Sequence, residues 1–198
     1  MEQQVKEHSF EFDPSRFVES FLQVSREIVV RPRDFFRQLP GTPQVRNPFI
    51  FLLVCSFLAA LFMANLRQGD ITLFALLLFS NVLSAFVGSF VLHVIVSKVF
   101  ATSLLFGSTF RIIAYASLMD LGSWIPVLGP IAYFYGLYLI YLGLQELHHL
   151  KPRQAGLAVI SILIIVTVLL SCLILLAPDS IHEAMKILDP EQAGLQGP

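Results

Sequence analysis

Charge is scarce in this sequence. Only 14% of its 198 residues are Asp, Glu, Lys or Arg, where a soluble domain carries about 25%. Hydrophobic residues make up 56% of the chain, and the mean hydropathy is +0.73. This balance excludes an ordinary soluble domain and makes a bilayer the expected solvent. Basic charge is not in excess either: the net charge is −1, so there is no concentrated basic face for a phosphate backbone, and no nucleic-acid partner is expected. Cysteine is limited to Cys55 and Cys172, both inside apolar runs. They form no disulfide framework and read as two small core hydrophobes. Also missing are the alternating runs of about ten residues that a membrane β-barrel needs. The first ~45 residues are polar and charged, so no cleavable signal is expected ahead of the first apolar run, and insertion uses the spans themselves. No serine stands in a nucleophile elbow, and the glycines match neither a phosphate loop nor a dinucleotide fingerprint. No enzyme and no cofactor are expected.

What the chain does have is five apolar stretches. About 20 residues at 1.5 Å each cross about 30 Å of hydrocarbon, and backbone groups there must pair within the segment, so helices are the expected structure. The predicted fold is all-α, a polytopic bundle of five transmembrane helices preceded by an N-terminal amphipathic helix. The cytoplasmic N-terminal segment covers 1–47, with helices over about 14–30 and 32–39; the membrane domain covers 48–177, with spans over about 49–66, 71–97, 110–124, 131–147 and 155–176. An acidic extracytoplasmic tail, 178–198, follows, with room for a short helix over 181–188.

Residues 1–12 are expected to fray. Asp13 as N-cap and Pro14 at the first helical position predict the first helix. On it Phe17, Phe21, Val24 and Ile28 fall within about 60° of one another, opposite Glu19, Gln23 and Arg26. That apolar face either lies among lipid headgroups or docks on the bundle. Pro32 and the Pro40-Gly41 stop bound the second helix, where Arg31, Arg33 and Arg37 are expected to meet anionic headgroups and Phe35 and Phe36 to act as membrane-facing anchors. Residues 41–48 form the linker into the first span. Seven of the thirteen basic residues lie in the N-terminal segment. Lys98, Arg111, Lys151 and Arg153 fall on the same side, leaving Arg67 and Lys186 opposite, so the positive-inside rule places the N-terminus in the cytoplasm and the C-terminus outside.

Several residues stand out within the spans. Gly129, Gly136 and Gly143 recur every seventh residue and so share one helix face open to close backbone approach. Asn81, Ser84, Ala85 and Gly88 form a small, polar face on the second span, with His93 nearer its cytoplasmic end. Trp124 fits an interfacial aromatic belt. Asp120 lies roughly 15 Å along the third span on the face of Ala116, Ser117 and Ser123, as a structural acceptor or as a proton or cation site, since a lipid-facing carboxylate is costly. Glu146-x-x-His149 sets a carboxylate and an imidazole one turn apart; with His148, and His93 as a further ligand, these are candidate metal ligands set against plain solvated polar residues at a span end.

The Pro32-Arg33-Asp34-Phe35-Phe36 lead, the Phe110-Arg111-Ile112-Ile113-Ala114-Tyr115-Ala116 start of span three, the Ile125-Pro126-Val127-Leu128-Gly129 turn and the Leu142-Gly143-Leu144-Gln145-Glu146-Leu147-His148 exit resemble the Yip1-domain family, over about residues 17–176. The resemblance implies a non-enzymatic multi-pass protein that organises membrane or protein partners through helix packing and self-association. Its expected partners are the lipid bilayer, further copies of itself and other membrane proteins. It also implies the cytoplasmic membrane if the chain is bacterial and the ER or Golgi if it is eukaryotic. A Rab-type GTPase is implied only for a eukaryotic member, and the Asp-Leu-x-Gly-Pro pattern that leads such members into the first span is replaced here by Arg46-Asn47-Pro48-Phe49. The shortness of the N-terminal region is closer to the prokaryotic branch. The alternative reading is a small channel or transporter that uses the Pro/Gly-broken region between spans three and four with Asp120.

Overall fold

A computed structural model describes residues 11–39, 44–66, 69–100 and 105–176. The expectations for residues 1–10, the Pro40 stop, residues 41–43 of the linker, the connection at 101–104 and the acidic tail with its short helix lie outside the described residues. Two compact units divide the chain, Met1–Ile160 and Ser161–Pro198. The second is described only as the helical continuation to Leu176.

All regular structure among the described residues is helical. The Asp13 carboxylate accepts from the Ser15 backbone N–H at 2.9 Å, and a 3-10 turn over Pro14–Arg16 leads into α1, Phe17–Val30. One face of α1 buries Ser20, Val24 and Ile28, while Val18, Leu22 and Val29 on another face are exposed. α2, Pro32–Arg37, follows directly and has Pro at its first position. α3 covers Arg46–Leu66 and α4 covers Ile71–Val99. Between them Gly69 takes φ 77°, left-handed backbone that glycine adopts without a Cβ clash. The Asp70 side chain then caps α4 by accepting from the N–H groups of Thr72 and Leu73 at 2.7 and 3.2 Å.

The third apolar stretch departs from the predicted helix over 110–124. α5 begins earlier, at Phe106, ends at Ala116 and tightens into a 3-10 segment over Ser117–Gly122. The reason is local. Ser117 Oγ donates to the Ala114 carbonyl at 2.7 Å and Ser123 Oγ to that of Asp120 at 2.6 Å, side-chain bonds that compete with the α-helical ladder just ahead of Gly122 and Pro126. α6, Leu128–Leu147, starts three residues before the predicted span; α7, Pro152–Leu176, also starts three residues early. The Lys151 N–H donates to Gln154 Oε1 at 3.0 Å at the start of α7.

Three of the described helices, α3, α4 and the Pro152–Leu169 part of α7, are long and apolar enough to cross a bilayer. α5 has only eleven residues. α6 has the length, but Tyr133, Tyr135, Tyr138 and Tyr141 and the Gln145-Glu146 pair dilute its apolar character.

Within the first unit α5 is central: α3, α4 and α6 all pack on it, and the 3-10 segment packs on α3 and α6. Leu52, Ala85, Phe110 and Ala114 form one core cluster, with Phe49, Phe106 and Ile113 against it. At the far end Trp124 stacks on Phe62 with ring centroids 5.4 Å apart. α2 lies along α6.

Candidate functional site

Nine of the eleven residues of α5 are buried, and Thr109, Arg111 and Tyr115 are among them. A polar side chain there needs partners, because an unpaired buried charge is far more costly than an unpaired surface one. Each of the three finds its partners outside α5.

Arg111 is 1% exposed. Its Nη2 donates to the Gln44 carbonyl at 2.9 Å and lies 3.2 Å from Glu11 Oε1. Burial pushes the Glu11 carboxyl above the usual carboxylate range, and the Arg111 guanidinium pulls in the opposite direction. The pair ties the N-terminal segment to the middle of α5. Four residues on, the Tyr115 hydroxyl accepts from the Phe12 N–H at 3.3 Å. The Tyr115 ring meets Phe35 edge-on at 5.0 Å and lies 5.1 Å from that of Phe51, and Phe12 packs on Phe51 at 5.7 Å.

Thr109 sits between two imidazoles: His93 Nδ1 is 3.3 Å and His148 Nε2 3.1 Å from its Oγ1. A hydroxyl has one proton and two lone pairs, so it donates to at most one of the two rings, and the ring tautomers set the direction of each bond. The three residues form a polar string across α4, α5 and the end of α6. Burial, with His93 and His149 nearby, lowers the His148 pKa to about 4, so the ring is neutral at ordinary pH.

The candidate metal ligands do not come together. Glu146 turns to Arg33 and Arg37, at 2.8 and 3.2 Å, His148 turns inward to Thr109, and His149 is exposed with φ 52°, ending the helix in left-handed backbone. Of that set only His93 and His148 converge, on Thr109. Among the described residues no three of His, Cys, Asp and Glu are placed to hold a metal ion.

The N-terminal anchors need correcting. Phe35 and Phe36 are each 1% exposed and face the bundle, not lipid. Their rings pack on each other at 5.4 Å, because α2 lies against α6 and Tyr115 offers an aromatic partner. Arg33 and Arg37 are held by α6 through Glu146, and Arg33 also reaches Gln145 Oε1 at 3.4 Å; Arg31 is exposed. The Tyr135 hydroxyl donates to the Val29 carbonyl at 2.9 Å and lies 3.4 Å from that of Ile28, giving a partner to carbonyls that the last turn of α1 leaves unpaired.

The heptad glycines face α5 and its 3-10 extension. A Cβ on Gly143 would lie 2.7 Å from Ile112 Cγ2, one on Gly129 2.7 Å from the Ser123 carbonyl oxygen, and one on Gly136 3.6 Å from Met119 Cβ. On α4, Ala85 is buried and Gly88 half-buried near Ile113, whereas Ser84 is exposed and Asn81 half-buried. The fully buried Ser89, not singled out by the sequence reading, extends that face and donates to the Ala85 carbonyl at 2.6 Å. Asp120 is half-buried in the 3-10 segment; Ala116 and Ser117 beside it are buried, but Ser123 is exposed.

Sequence reasoning missed the Glu11–Arg111 pair, Thr109 and Tyr115 as site residues. The signal was an arginine set directly within the apolar run Phe110–Ala116. Its cost in such a place demands a carboxylate; the acidic residue nearest in sequence is Asp120, yet the one that Arg111 meets is the distant Glu11.

A family model for the Yip1 domain matches residues 26–174, from the last part of α1 to near the end of α7. No curated protein and no solved structure matches the chain. With apolar helices long enough to span a bilayer and a family match over most of its length, this chain belongs to the Yip1 domain family of membrane proteins.

Proposed function

We propose that this integral membrane protein is a non-enzymatic organiser that self-associates in the bilayer and presents a fixed N-terminal platform to cytoplasmic partners or lipid. The observation that carries this reading is the way the N-terminal segment is built in. Phe12, Phe35 and Phe36 are fully buried, and Glu11, Arg33 and Arg37 pair with Arg111 and Glu146. A segment fixed by its own charged residues acts as a surface of defined shape. Its outer face, with Val18, Leu22 and Val29 exposed, suits the cytoplasmic leaflet that adjoins the bundle.

In this reading α5 with its 3-10 extension and α6 cross the membrane as the third and fourth of five spans, beside α3, α4 and α7. The N-terminus is cytoplasmic and the C-terminus outside. The exposed apolar residues of α4, such as Phe79 and Phe90, are free for lipid or for a second copy. Single cysteines in a Cys-free background test the topology, with position 189 expected to react only from the outer side. Energy transfer between labelled chains in vesicles, measured against lipid dilution, tests self-association. Transfer that falls to the random-encounter level overturns the organiser reading, and ion flux lost in Asp120→Asn replaces it with transport.

A further inference from the structure

An open groove of about 280 Å³ lies between the start of α3, α4 and the start of α5, lined by Val45, Arg46, Phe49, Phe86, Phe106 and Phe110. Four of the six are phenylalanines, and they brace one another. Phe86 stacks on Phe110 at 4.8 Å and packs on Phe49 at 5.7 Å, and Phe106 lies 6.1 Å from Phe110. The far wall therefore belongs to the core, with Phe110 1% exposed, while Val45 at 42% and Phe86 at 39% keep the groove open to the side. An apolar cavity of this kind does not hold water well, because water needs polar partners. On a membrane-spanning chain the solvent at its mouth is acyl chain.

Charge selects among lipids. Arg111, next to the groove-lining Phe110, is engaged by Glu11, and Arg33 and Arg37 of α2 are engaged by Glu146. Arg46 is exposed and pairs with no carboxylate among the described residues. Its aliphatic stem can extend the apolar wall while the guanidinium reaches out to an anion. The volume is just below the range of about 300–1,000 Å³ typical of small-molecule sites, which gives room for a stretch of one alkyl chain and no more.

We infer that this groove is a specific lipid site, which takes one acyl chain of an anionic phospholipid against Phe49, Phe86, Phe106 and Phe110 and holds its headgroup on Arg46. The charge of Arg46 is matched by a net-negative headgroup and not by one whose phosphate is already neutralised by its own cation. The full-length protein, purified in mild detergent and offered phosphatidylglycerol or phosphatidylcholine of identical chains, reads this out by native mass spectrometry. Phosphatidylglycerol should be retained as a saturable adduct and preferred about fivefold, the increment expected for one arginine near an anionic headgroup. Arg46→Gln should remove the preference while leaving a basal adduct of both lipids. Val45→Trp, at an exposed position, should fill the mouth and lower retention of both. Equal retention of the two lipids by the parent protein, or a preference that survives Arg46→Gln, overturns the inference. So does retention unchanged by Val45→Trp, which describes annular lipid only; if a dimer is lost at the same time, the occupant is a second copy of the chain. Arg46→Gln carries the charge test alone if Val45→Trp does not fold.

Discussion

The longest apolar helix in the first unit and the shortest interior one have exchanged the roles a soluble protein would give them. α4 has twenty-nine residues, of which only six are buried, whereas α5 has eleven with nine buried. Yet α5 is the one that carries Thr109, Arg111 and Tyr115. In water the apolar helix would be driven inward and the polar one outward. In a bilayer, lipid tails solvate Leu and Phe as well as a protein interior does, so hydrophobicity no longer decides what is inside. Groups that lipid cannot satisfy decide it, namely charges, hydroxyls, imidazoles and backbone approaching backbone. α5 collects them because α3, α4, α6 and the N-terminal segment together supply the partners.

If that contrast is right, the largest effect should come from the charge at its centre. Arg111→Leu strands Glu11 and the Gln44 carbonyl and should destabilise by about 3 to 5 kcal/mol, the range for breaking a buried pair. Adding Glu11→Gln should recover part of the loss. The double-mutant cycle is read from unfolding in detergent, and additive losses would mean that the two groups do not act as a pair.

Close packing around the same helix should give the next largest change. Gly143→Ala forces a methyl into Ile112, whose β-branched side chain has little freedom to move away, and should cost about 1 to 3 kcal/mol. Gly136→Ala meets Met119 at an ordinary contact distance and should be much milder. Thermal midpoints of the two variants give the order, and reversal would mean that α5 and α6 do not meet as closely as the 2.7 Å approach requires. Ile112→Ala in the Gly143→Ala background should relieve the clash.

The smallest effect belongs to α4. Phe90 is 62% exposed, and Phe90→Leu exchanges one lipid-solvated side chain for another, so the shift should stay within about 0.5 kcal/mol. A loss of 2 kcal/mol or more would show that this face is covered by protein, and comparing oligomer size for the parent and variant would identify a second copy as the cover.

Much of this was legible in the residues. Asp13 with Pro14 is a short-range signal whose effect on the backbone does not depend on distant partners, and the first helical turn starts at Pro14, where that signal places it. The spacing of Gly129, Gly136 and Gly143 assigned them to one face. Apolar length alone marked α3, α4 and the Pro152–Leu169 part of α7 as helices able to cross a bilayer. The sequence alone, then, determined that this is an all-helical membrane protein of the Yip1 domain family, since a run of apolar residues and a cap are local properties that lipid and backbone geometry turn directly into helix.

The tertiary structure decided where the charges go. Arg111 counts in sequence as one more positive charge at a span end, and Phe35 and Phe36 as aromatic anchors, because composition cannot tell a side chain that meets a headgroup from one that meets another helix. Glu11 lies a hundred residues from Arg111 and Arg33 more than a hundred from Glu146, and no periodicity links them. The pairing becomes available only when α5 is enclosed, and enclosure makes it obligatory, since a charge removed from water must find its counter-charge wherever in the chain that lies.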